Sequence, residues 1–139
     1  MDLIDYSRAY YEVISREPVP RIRKGKFVLV RRHGQVIVIL GSHNLHELHA
    51  DVLQRYCELN EIPFRHDPAP GRVEPKLNSG ISVHGGGYFQ IDDEAATVHL
   101  YSESGAYGAP DAATLAGLEL QSGQRIIFSP PPRSRDSSD

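Results

Sequence analysis

The chain is poor in the features that would assign it quickly. It has one cysteine, Cys57, in 139 residues, which excludes an internal disulfide framework and a cysteine-built zinc site. It has no apolar run long enough to cross a bilayer. Its net charge is −3, so no global basic field draws in nucleic acid or an anionic membrane, and any anion site must be local. No internal repeat suggests a solenoid or propeller. The chain opens Met-Asp-Leu-Ile-Asp, acidic where a secretory signal would be basic. A single cytoplasmic domain is the expectation.

What is present is a mixture of strand and helix patterns. From Asp5 to about Ser15, Tyr6, Tyr10, Tyr11, Val13 and Ile14 suit a short helix that ends before Pro18 and Pro20. Residues 1–24 thus read as an N-terminal extension, 25–128 as the domain and 129–139 as a disordered tail. Lys26–Arg32 and Gln35–Leu40 read as strands joined by a His33-Gly34 hairpin turn. Both are apolar in consecutive positions, as central strands covered on two faces would be.

From Asn44 to Asn60 the period changes. Leu45, Leu48, Val52, Tyr56 and Leu59 recur every three or four residues, and Asn44 with Glu47 resembles a capping box. Arg65–Ser79 is proline-rich and aperiodic, as a loop would be. Gly80–Asp92 reads as a strand in which Gly85-Gly86-Gly87 marks a bulge or a close backbone approach. Thr97–Tyr101 is a further strand, Ser102–Ala109 a small-residue loop, Pro110–Leu118 a short helix and Arg125–Phe128 a closing strand. This order predicts an α/β or α+β domain with a mixed sheet flanked by helices.

Seven histidines stand out, three of them close together at His43, His46 and His49. A histidine near a helix N-terminus is biased toward neutral imidazole, the form able to act as base or nucleophile, and the helix amides beside it favour phosphate. The same position suits an ordinary helix-surface histidine. His46-Glu47-Leu48-His49 is one residue short of the zinc-protease pattern, and a metal site of the three histidines is a second option. The loop Ser102–Gly108 offers a hydroxyl and backbone amides of the kind that build anion nests. Lys26 offers an ammonium at a strand start. Cys57 reads as a small core filler, His99 as a packed strand residue, and His33 and His66 as turn or loop residues. His84, beside the glycines, is a secondary candidate for lining the site, and Arg31 and Arg32 should point to opposite sheet faces.

Taken together, Lys26–Arg31, Leu48-His49-Ala50-Asp51, Gly85-Gly86-Gly87, and Val98–Tyr101 followed by Ser104-Gly105-Ala106-Tyr107-Gly108 occur in an order and spacing that resembles the Janus/Ocnus family of small protein-histidine phosphatases. The likeness spans about residues 25–128. It implies a phosphohistidine-phosphatase-like α/β fold and a monomeric, metal-independent hydrolase, without cofactor, acting on phosphohistidine in proteins. It puts the catalytic residue at His49, at the start of its helix, with the backbone of His49 and Ala50 on phosphate. It assigns the active-site lysine to Lys26 and the phosphate loop to Ser104, Gly105 and Ala106. The family pattern carries an arginine after the three glycines, where this chain has Tyr88. A module that binds phosphohistidine without turning it over is the alternative.

Overall fold

A computed structural model describes residues 2–42, 48–67, 71–115 and 124–129. Its strands are β1 (Asp2–Asp5), β2 (Ile22–Arg32), β3 (Gln35–Leu40), β4 (Phe64–Asp67), β5 (Arg72–Pro75), β6 (Ile81–Asp92), β7 (Thr97–Tyr101) and β8 (Arg125–Ser129). Its helices are α1 (Tyr6–Ala9), followed by a π-helical turn at Tyr10–Ser15, then α2 (His49–Leu59) and α3 (Ala112–Leu115). Six strands form one sheet in the order β1-β3-β2-β6-β7-β8, and β4 and β5 pair separately. The outer pairs β1/β3 and β7/β8 are parallel and the inner pairs antiparallel, so the domain is a mixed α+β fold.

Hydrophobic runs explain the centre of the sheet. Phe27–Val30 and Ile37–Leu40 are buried at every position, as strands covered on both faces must be. Val28, Val30, Ile37 and Ile39 face α2, against Val52, Leu53, Tyr56 and Cys57. Phe27, Leu29, Val38 and Leu40 face the other way, with Phe89, Ile91, Leu100 and Leu115 of α3. His33 and Gly34, at φ 51° and 81°, make the two-residue turn whose twist matches an antiparallel hairpin. Arg31 reaches Thr114 near α3 and Arg32 reaches Tyr56 and Asn60 on α2, on opposite faces as alternation requires.

Several expectations needed correction. The N-terminal residues are not only a helix leaning on the domain: Asp2–Asp5 is an edge strand, paired with Ile37–Leu40. Leu3 and Ile4 pack into opposite cores, and a four-residue strand is too short to show a period. The expected loop at 65–79 contains the β4–β5 ribbon, whose single fully buried side chain, Val73, leaves no alternating signature. Helix α2 starts at His49, where the resemblance puts it, and not at Asn44, where the capping pattern alone puts it; Leu48 is extended, at φ −120° and ψ 154°. The proposed capping pair, Asn44 and Glu47, lies outside the described residues, as do the end of the Pro110–Leu118 helix and the tail from residue 130.

Candidate functional site

Strands β2 and β6, the Ser104 turn after β7 and the start of α2 converge at Gly86. A Cβ there would come within 2.5 Å of the Phe27 carbonyl oxygen, 3.3 Å of His49 Cδ2 and 3.4 Å of Ser104 Cβ. No side chain fits without moving a strand, so glycine lets the histidine and the serine close over the sheet. Gly85, at φ 99°, is where the β2/β6 register shifts between Val28 and Val30, and it turns the strand under Ala109.

His49 is the first residue of α2 and only 6% exposed. Its Nε2–H donates to the Gly87 carbonyl oxygen at 2.7 Å. A carbonyl only accepts, so that bond fixes the tautomer and leaves the lone pair of the neutral ring on Nδ1. Burial lowers the His49 pKa below its ordinary value, and the charge of Lys26 adds to this, against an opposing effect of the Gly87 hydrogen bond. The ring is therefore neutral at pH 7.

The amides around His49 follow from helix geometry. The first bonds of α2 run from the Asp51 and Val52 N–H groups to the Leu48 carbonyl. The N–H groups of His49 and Ala50 precede that ladder and have no acceptor within the helix. Asp51 turns back to accept the Leu48 N–H at 2.9 Å, which secures the chain entering the helix. The positive end of α2 thus lies beside a neutral imidazole, a combination suited to holding phosphate.

The other assigned residues have different standings. Lys26 opposes Tyr88 across β2 and β6, one position from the Phe27–Gly87 pair, and its charge acts on His49. Ser104 is buried and shares Gly86 with His49, but its N–H donates to the carbonyls of Gly86 and Gly108 and is not available to an anion. Its hydroxyl oxygen accepts the Tyr107 N–H at 3.1 Å, which leaves the hydroxyl proton to donate. Gly105 is exposed and open on its Cβ side, and Ala106 is half-buried, both in the turn closed by the Gly108 N–H on the Ser104 carbonyl. Tyr88 packs edge-on to His49, ring centroids 5.6 Å apart.

His84 bonds Ser82 instead, and His99 bonds Ser129. His66 lies in β4, not in a loop. Burial pushes the Cys57 thiol up to about 11, which keeps it protonated and inert. Among the described residues no group of three His, Cys, Asp or Glu is placed to hold a metal ion; His43 and His46 lie outside them.

Two contributors were missed by reading the sequence. The Gly87 carbonyl orients His49, and a backbone group gives no sequence signal beyond the glycine run. Tyr107 fixes the Ser104 turn: its hydroxyl donates to the Val73 carbonyl and accepts the Val73 N–H, each at 2.8 Å, as a strand neighbour would. A tyrosine among small residues in a loop was the available clue. Compared with family models and with curated proteins, the chain matches none.

Proposed function

We propose that this chain is a metal-independent phosphohistidine phosphatase, with His49 at its centre and Lys26, Ala50, Ser104, Gly105 and Ala106 around the phosphate. The observation that carries the reading is the placement of His49: buried, hydrogen-bonded through Nε2, its pKa lowered by burial, and at the amide end of a helix. The phosphoryl oxygens rest on the His49 and Ala50 N–H groups and the Ser104 hydroxyl, and Lys26 offsets their charge.

Nδ1 then serves one of two routes. As a base it takes a proton from water while the water oxygen attacks phosphorus. As a nucleophile it attacks phosphorus itself, and water later cleaves the new P–N bond. In both routes the original P–N bond breaks with its electron pair on the substrate imidazole nitrogen, which takes a proton from solvent, balancing the one released when water attacks, and leaves neutral. That leaving group is good once protonated, so a small site suffices.

One observation favours a second reading, a phosphohistidine-binding module without turnover. Tyr88, which adds no charge, stands where the resembling family carries arginine, and it packs on His49. Hydrolysis of a phosphohistidine peptide by wild type and His49→Ala, with chelator present, separates the readings. Turnover lost in the variant and insensitive to chelator supports the phosphatase. Saturable binding without turnover in wild type selects the binding module, and chelator-sensitive turnover overturns the metal-independent mechanism.

A further inference from the structure

The far end of α2 meets the same sheet face at a second polar site. Arg32 Nη1 donates to the Asn60 side-chain oxygen at 3.1 Å and the Tyr56 hydroxyl at 3.3 Å, and the guanidinium lies 5.9 Å from the Tyr56 ring centroid. Both acceptors are neutral. Among the described residues no carboxylate pairs with Arg32, and its Nε is buried without a partner. A guanidinium at the C-terminal end of a helix offsets the carbonyl dipoles there.

A cavity of about 380 Å³ opens beside it. Strand register explains its floor: Arg32 opposes Gln35, and Asp2 opposes Ile37, so the end of β2 and the edge strand β1 present both charged groups to one face. Ile4, Ile37 and Tyr6 supply apolar surface between them. The Asp2 carboxylate accepts from Gln35 Nε2 at 2.7 Å and, among the described residues, pairs with no cation. The cavity thus holds one cation and one anion, each bonded to neutral groups and not to each other. Its volume lies in the range of about 300–1,000 Å³ typical of small-molecule sites.

We infer that this cavity binds a small zwitterion of amino-acid type, its carboxylate on Arg32, its ammonium toward Asp2 and a short apolar body over Ile4 and Ile37. A ligand carrying both charges satisfies both side chains at once, and a simple anion would leave Asp2 repelling it. The inference is independent of the phosphatase reading, since it concerns the opposite end of α2.

The test is an NMR titration of the full ¹⁵N-labelled chain with L-leucine, following the side-chain amides of Gln35 and Asn60. Isovalerate and isopentylamine serve as single-charge probes. Saturable shifts are expected with leucine, at least tenfold weaker with either half-ligand, as one lost charged hydrogen bond of about 1.4 kcal/mol or more implies. Arg32→Gln should remove binding and Asp2→Asn should weaken it about tenfold. Asp2 lies at the sheet edge, so its variant tests the site even if Arg32→Gln unfolds. No saturation with leucine, equal binding of a half-ligand, or an unchanged affinity in Asp2→Asn would overturn the proposal.

Discussion

Arg23 on β2 and His49 at the start of α2 are both buried polar side chains, and they differ in how far their hydrogen-bonding capacity is used. The Arg23 side chain is 2% exposed and nearly saturated: it bonds the Ser7 hydroxyl, the Pro20 carbonyl, and the carboxylates of Asp5 and Asp93. Burial alone would lower its pKa, but Asp93 and Asp5 raise it instead. His49 makes one side-chain bond, and its pKa is lowered. A saturated buried charge joins elements together, here the β1–α1 segment to β2 and the turn after β6. A buried base with one nitrogen held and one lone pair left over is poised for chemistry.

The largest effect that would sharpen this contrast is on turnover. His49→Gln keeps an N–H donor for Gly87 and should change stability by less than about 1 kcal/mol. Phosphohistidine-peptide hydrolysis should fall at least about 100-fold, the usual contribution of a positioned base. Denaturant melts and initial rates read the two quantities separately, and a large stability loss with rate retained would reverse the roles assigned here.

Arg23→Leu should do the opposite. It leaves Asp5 without its cation and Asp93 with only Arg8, and should cost about 3 kcal/mol, the lower end for breaking a buried pair, because Asp93 retains Arg8 and access to water. Turnover per folded molecule should be unchanged, checked by urea titration alongside activity at low denaturant.

Tyr107→Phe tests the link between the β4–β5 ribbon and the Ser104 turn. It strips two partners from Val73 and should destabilise by about 1–2 kcal/mol. The KM for the phosphohistidine peptide should rise more than kcat falls, since the turn is loosened while His49 is untouched.

The smallest effects are in pH dependence. The Asp93 pKa is lowered, chiefly by its hydrogen bond with Arg23, so its contribution is present above the ordinary aspartate pKa and fades as pH falls through its lower folded value. Arg23→Leu should flatten that acid limb. His49 binds a proton less readily folded than unfolded, so stability also declines as pH drops below about 6.5, the ordinary histidine value. His49→Gln should remove that part. Urea midpoints from pH 2 to pH 8 would distinguish the two limbs.

Local chemistry determined much of this molecule in advance. The runs Lys26–Arg32 and Gln35–Leu40 with His33-Gly34 between them specify a hairpin, because consecutive apolar residues demand two covers and the turn tolerates positive φ. The glycine run announced the close approach at Gly86. His49 was legible as a candidate from its neighbours along the chain.

Other features depend on partners distant in sequence. Asp2–Asp5 pairs as a strand with the edge that β3 offers, and the β4–β5 ribbon is anchored through Val73, which packs with α2 and is held by Tyr107. The helical period ran back past His49 to Leu45, but periodicity cannot mark a boundary, and the Asp51 cap sits at His49's turn. The tautomer of His49, the commitment of the Ser104 amide and the Arg32 cavity were decided by tertiary contacts alone. Each rests on a backbone carbonyl, a strand register or a facing helix end brought near by folding, and such groups leave no mark in the order of side chains.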